Sequence, residues 1–300
     1  MASRSIKNRP SIKKKRPFVG LLAFLSIIAA ICLAGCIGVV VLGDSWIGDL
    51  KTYDVSEVSE LNTSAPTTVL ASDEQTQLAR FQVENREPVE LSGISKYVMQ
   101  GTVATEDERF YDHGGFDLVG IARAAFVTLT GSGREGASTI TQQFVRNTVL
   151  ADEMNDISLK RKVREMYLSV KLEEVYSKDE ILRMYLNTIN YGNATYGIQA
   201  ASQRYFSKDA TDLTLAEAAA LVGIPQSPSY NNPLVDGGKN CIERRNLVLD
   251  RMLSNGYITQ EEHDAAQQAP LEVNETFPTN DGILAYPYIT SYMRQELKEE

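Results

Sequence analysis

The sequence predicts a mostly α-helical domain held behind an N-terminal transmembrane helix, and three observations predict it. Phe18 to Gly43 run 26 residues without a charge, enough to cross a bilayer at about 1.5 Å per residue with tilt to spare. From Leu91 onward, apolar residues recur at helical spacing and three capping boxes mark helix starts. Strand-like alternation is scarce, and no internal repeat is present. Three hundred residues suffice for one or two domains with a real core.

Residues 1–17 form a basic tail, with seven Lys/Arg and no acid in the first sixteen positions. That flank should stay in the cytoplasm, so residues 18–43 are expected as a single-pass anchor and everything after Asp44 faces outward. Leu33-Ala34-Gly35-Cys36 looks like the box at which bacterial lipoproteins are cleaved and lipidated. A secretory signal ends its apolar run near the cleavage site, whereas here Ile37 to Leu42 continue it. The expectation is an uncleaved anchor with Cys36 unmodified.

Residues 44–90 read as a stalk: Ser, Thr, Asp and Glu are frequent in 54–77, Pro66 interrupts, and periodicity is weak. The helical domain is expected over 91–270. Leu118, Ile121, Ala122, Ala125, Phe126 and Leu129 predict one apolar face of a buried helix. Ser177 with Glu180, Thr214 with Glu217 and Thr259 with Glu262 are the capping boxes. The second opens Leu215 to Val222, stopped by Gly223 and Pro225. Residues 271–300 begin irregularly around Pro278 and Pro287.

Charge and cysteine usage narrow the function. The seven basic residues of the tail leave 23 Lys/Arg against 39 acids over 44–300, a balance of −16. Nucleic acid needs a basic footprint and is disfavoured, whereas a pyrophosphate could still be held by local cations. Cys32 and Cys36 lie in the anchor, which leaves Cys241 alone outside and no disulfide framework or cysteine-based metal site.

Residues 104–143 carry the chemistry. An acidic pair sits among aromatics in Ala104-Thr105-Glu106-Asp107-Glu108-Arg109-Phe110-Tyr111-Asp112-His113-Gly114-Gly115. After the glycine-rich link 131–136, expected to be mobile and to act as a lid, come Gly136-Ala137-Ser138-Thr139-Ile140-Thr141-Gln142-Gln143. Taken alone, Glu-Asp-Glu is a solvated turn and Ser138-Thr139 a helix N-cap region, although a helix N-terminus also binds anions. Arg146 and Asn147 follow one turn on. In Arg161-Lys162-Val163-Arg164-Glu165, Arg161 and Glu165 are spaced as an i,i+4 ion pair, with Val163, Met166, Tyr167 and Val170 expected toward the core.

The patterns E-D-x-x-F-x-x-H-x-G, G-x-S-T-x-T-Q-Q and R-K-x-x-E, in this order, resemble signature motifs of the peptidoglycan glycosyltransferases of family 51. These occur in class A penicillin-binding proteins and monofunctional transglycosylases. The segments 178–201 and 215–233 resemble two further motif regions, which read as structural. The resemblance covers roughly 90–260.

It implies a lysozyme-like helical fold and a polymerase that joins lipid II, a sugar on a lipid pyrophosphate, into β-1,4 glycan at the bacterial membrane. Glu106 would be the general base, made more basic by Asp107, with Phe110 and His113 shaping its loop. Ser138, Thr139, Thr141, Gln142 and Gln143 would offer donors to sugar and phosphate oxygens, joined by the basic-Asn pair Arg146 and Asn147. Glu165, with Arg161 and Lys162, would orient the donor and stabilise the diphosphate. Lys171 stands where the family more often has Arg and offers only a point charge.

Some members also use a divalent cation, Mg or Mn, so the resemblance admits one. Other cell-wall synthesis proteins are expected partners. Residues 286–297 resemble the linker into a transpeptidase domain, so the chain is expected to carry only the glycosyltransferase half. A lysozyme-like hydrolase is one competing reading, but it has no need of the Arg161/Lys162 cluster or of a membrane tether. A non-catalytic assembly subunit is the other, and it would be expected to lose Glu106, Glu165 or the Gln142-Gln143 pair.

Overall fold

The computed structural model describes residues 43–59, 67–73, 75–81, 85–130, 136–154 and 156–276. The expected anchor with Cys36, the glycine-rich link 131–135 and the end of the expected linker, 277–300, lie outside them. Among the described residues no helix is long and apolar enough to cross a membrane. The chain divides after Lys51. Of the part before that point, residues 43–51 are described, and in them Lys51 pairs with Asp44.

The remainder is mostly helical, as expected. Its helices are α1 (Lys96–Glu106), α2 (Leu118–Thr130), α3 (Ile140–Asn147), α4 (Leu159–Val175), α5 (Lys178–Thr188), α6 (Ile198–Phe206), α7 (Leu215–Gly223), α8 (Lys239–Ser254) and α9 (Gln260–Gln268). The expected stalk is more structured than its composition suggests. Antiparallel strands β1 (Thr67–Leu70) and β2 (Gln77–Phe81) pair with Thr67 opposite Phe81, and β3 (Asn85–Arg86) runs parallel to β4 (Thr195–Tyr196). The turn Val55–Glu57 packs on α4, and the Tyr176 hydroxyl donates to the Ser56 carbonyl at 2.5 Å.

Local chemistry explains the helix starts. All three expected capping boxes form, each with the hydroxyl accepting the N3 amide and the Glu carboxylate reaching back. A fourth opens α3: Thr139 Oγ1 accepts from the Gln142 amide at 3.1 Å while Gln142 Oε1 accepts the Thr139 N–H at 3.2 Å. A cap of this kind is worth about 1 kcal/mol.

Two helical groups result. In one, α1, α7 and α8 pack together and α9 covers α8, around Val98, Leu221, Val248, Leu249 and Met252. In the other, α3 lies between α4 and α5 and buries Ile140, Phe144, Leu168, Leu172, Ile181 and Leu186. The helix α6 touches both α5 and α7. Residues 274–276, expected in the linker, instead lie along the end of α6. There Asn274 and Thr276 donate backbone N–H groups to the Tyr205 and Arg204 carbonyls.

Two expected helix faces are corrected. The helix α2 forms, but Leu118, Phe126 and Leu129 are exposed, and only Gly120 and Ala124 are buried. The buried positions are small residues, and the large apolar side chains lie on the opposite, exposed side. In α4 the buried stripe is Arg164, Glu165, Leu168, Ser169 and Leu172, one position away from the expected Val163, Met166, Tyr167 and Val170. Leu168 and Leu172 supply the apolar burial on that face, and Glu165 is carried in with them and matched by Arg161 and Lys162.

Gly115 fixes where the first motif meets α4. Its φ is +74°, and a Cβ there would come 2.7 Å from the Val170 nitrogen and 2.8 Å from the Ser169 carbonyl carbon. Backbone atoms cannot yield as a side-chain tip can. Gly115→Ala is expected to cost about 3 kcal/mol or more through strain and overlap combined, seen as a lowered denaturant midpoint at unchanged m-value.

Candidate active site

Where the two helical groups meet, a cavity of about 520 Å³ opens. One wall is the end of α1 with the segment 136–139 and α3; the other is Pro225, Gln226 and the side chains of Arg244 and Arg251 on α8. Glu106 is the last residue of α1 and lines the cavity. Its Oε2 accepts 2.7 Å from Gln143 Nε2, and Gln143 Oε1 in turn accepts the buried Tyr185 hydroxyl at 3.3 Å. The carboxylate is therefore aimed by one neutral amide and faces the cavity without a cation bonded to it among the described residues.

Asp107, the next residue, points elsewhere. Its oxygens lie 2.9 and 3.0 Å from His113 Nε2, and Oδ2 also accepts the Ile140 N–H at 3.1 Å. It thus ties the first motif's loop to the N-terminus of α3, where the helix dipole favours a carboxylate. Phe110 is fully buried beneath that loop, with the Lys178 ammonium 4.5 Å from its ring centre. Asp107→Ala would leave the Ile140 N–H and His113 without their partner. A loss of about 2–3 kcal/mol is expected, read as a lower melting temperature, with activity falling because Glu106 is the adjacent residue.

The second and third motifs are knitted together rather than left open. Lys162 Nζ donates to Ser138 Oγ at 2.8 Å, Gln142 Oε1 at 3.1 Å and Glu165 Oε2 at 3.1 Å, using all three of its N–H groups. Burial lowers the ammonium pKa, and the Glu165 charge opposes that. Arg161 sets Nε 3.1 Å from Glu165 Oε1 and donates from Nη1 to the Met154 carbonyl at 2.7 Å. Glu165 itself has no exposed surface and does not line the cavity. Thr141 is also buried, its hydroxyl 2.5 Å from Glu173.

Of the residues expected in the site, the cavity wall includes Glu106, Asp107, Ser138, Thr139, Gln143 and Arg146. Phe110, His113, Thr141, Gln142, Arg161, Lys162 and Glu165 do not line it, and neither does the half-buried Asn147. Lys171 does not line the cavity either; its side chain is exposed and paired to Glu174 at 2.8 Å one turn along α4. Arg123, Arg244 and Arg251 line the wall and were not legible as site residues, since none belongs to a motif read above. Arg244 reaches it because its stem lies across Gly223, where a Cβ would meet its Cγ at 2.7 Å.

The acids of the cavity do not converge on a common point. Asp117 is forked by Arg109, with Nη2 at 2.5 Å and Nε at 3.1 Å, and this pair, against the opposing effect of burial, holds its carboxyl below the usual range. Glu108 pairs with Arg123, Asp107 with His113, and Glu106 takes the Gln143 amide. Among the described residues no three His, Cys, Asp or Glu are grouped to hold a metal.

Comparison with known proteins adds to this geometry. A family model described as Transglycosylase matches residues 74–253. Penicillin-binding protein 1A of Vibrio cholerae is 42% identical over 219 residues, covering 73% of this chain and 26% of that protein. Penicillin-binding protein 1A of Escherichia coli is 40% identical over 81% of this chain and 28% of its own length. Penicillin-binding protein 1F of Bacillus subtilis is 37% identical over 96% of this chain and 38% of its own. The chain thus spans between about a quarter and two fifths of the relatives it matches. A crystal structure of penicillin-binding protein 1A from Haemophilus influenzae matches at a TM-score of 0.43 and 27% identity, over 77% of this chain and 24% of that one.

Proposed function

The chain belongs to the transglycosylase family, and from that premise we propose that it polymerises lipid II into β-1,4 glycan with release of the lipid pyrophosphate. The observation that carries this reading is a carboxylate aimed into a cavity whose walls also present guanidinium groups. Glu106 is held by a neutral donor, while Arg146 and Arg244 line the same space.

The chemistry needs a proton taken at one end and charge absorbed at the other. Glu106 takes the proton from the 4-hydroxyl of the acceptor's terminal N-acetylglucosamine. That oxygen attacks the donor's anomeric carbon, the bond to the pyrophosphate breaks, and its negative charge is met by arginines of the wall. One displacement inverts the centre, from an α-linked pyrophosphate to a β-linked glycan. Arg161, Lys162 and Glu165 contribute from behind, bracing Ser138 and the first turn of α3 on which Gln143 and Arg146 stand. A lysozyme-like fold and an uncleaved membrane anchor belong to the same proposal, as does placement of the site on the outer face of a bacterial membrane. The tether and the lipid-borne substrate agree in demanding a membrane.

The stereochemical test uses purified product. A glycan strand cut by a muramidase specific for β-1,4 linkages supports the single displacement. Strands with retained α linkages would overturn it.

A further inference from the structure

Tyr185 lies on α5, outside the cavity wall, and is 2% exposed. Its hydroxyl ends a short relay: Tyr185 O–H to Gln143 Oε1 at 3.3 Å, then Gln143 Nε2–H to Glu106 Oε2 at 2.7 Å. We infer that Tyr185 is a positioning residue for the proton-accepting carboxylate, acting entirely through the Gln143 amide. This rests on the proposal that Glu106 is the base.

The argument is one of donors and acceptors. A primary amide presents an oxygen at one corner and an N–H pair at the other, and the two can exchange by a half-turn. Turned the wrong way, Gln143 would set its carbonyl oxygen against the Glu106 carboxylate and its N–H pair against a phenol. The phenol hydroxyl donates to the oxygen and so selects the orientation that points N–H at Glu106. Burial, and then the Glu106 charge, push the phenol's pKa well above its usual 10, so it stays a donor throughout the working range. Gln143 is itself 9% exposed, so water competes little for the amide. A carboxylate held by one hydrogen bond within reach of the acceptor hydroxyl loses rate steeply when its aim loosens.

The experiment pairs an amide probe with kinetics on the full chain. With 15N-labelled glutamine, the Gln143 side-chain signals are identified by their loss in Gln143→Met, which fills similar space without a donor. In the parent these protons should exchange slowly with solvent. Tyr185→Phe, which removes one oxygen from a packed ring, should speed their exchange at least about tenfold at a temperature where both proteins are folded. It should also lower kcat for elongation by about tenfold with KM unchanged within twofold. In the Gln143→Met background the same Tyr185→Phe change should cost nothing further, because the relay is already cut. Parent-like exchange in Tyr185→Phe overturns the inference whatever the activity, and so does an undiminished rate loss on top of Gln143→Met. If the parent fails to elongate lipid II, only the proposed activity falls, and the exchange result still decides Tyr185.

Discussion

Glu106→Gln is expected to lower the rate of glycan elongation by about 10²–10⁴-fold, the usual loss on removing a general base. The substitution is close to isosteric, and its amide oxygen can still accept the Gln143 N–H that the carboxylate accepts at 2.7 Å. The α1 terminus should therefore keep its place and the melting temperature should change little. What disappears is the ability to take a proton. Binding of the lipid-linked donor, measured separately, should survive. A folded Glu106→Gln protein that elongates within a few-fold of the parent would move the base elsewhere.

Glu165→Ala should do more damage to the fold than any exposed change on α4. The carboxylate has no exposed surface and sits 3.1 Å from both Arg161 Nε and Lys162 Nζ. Its removal leaves two cations packed together without a counter-charge, which typically costs about 3–5 kcal/mol. For a domain of this size that lowers the melting temperature by roughly 10 °C. Activity should fall with it, because Lys162 then releases Ser138 and Gln142 and the start of α3 loosens. Glu165→Gln keeps the volume and separates the two effects. It should recover part of the stability while kcat stays low, whereas recovery of both would reduce Glu165 to a purely structural buried acid.

Much of this site was legible in the sequence because its signals are local. Capping boxes depend on two side chains three residues apart, and all three that were expected form. The i,i+4 pairing of Arg161 with Glu165 likewise follows from spacing alone. The contact between Glu106 and Gln143, 37 positions apart, lies beyond any local signal.

The misreadings share a cause: periodicity says which residues share a face, not what the face meets. Leu118, Phe126 and Leu129 do share one side of α2, yet that side is exposed and the buried residues, Gly120 and Ala124, lie on the other. Glu165, given its place at the donor diphosphate by the resemblance and not by periodicity, is buried against Arg161 and Lys162 and does not line the cavity. Lys162, expected to meet the diphosphate, spends its three N–H groups on Ser138, Gln142 and Glu165. Arg244 and Arg251 reach the cavity only because α8 packs on α1 and α7, a long-range fact that no short pattern encodes.

The central claim is that this cavity joins sugars rather than cutting them. Incubating the full chain with labelled lipid II and separating the products on a gel tests it most directly. A ladder of lengthening glycan strands, absent with Glu106→Gln, is the predicted result. Release of reducing-end sugar from finished peptidoglycan, with no elongation of lipid II, would contradict it and make the protein a hydrolase.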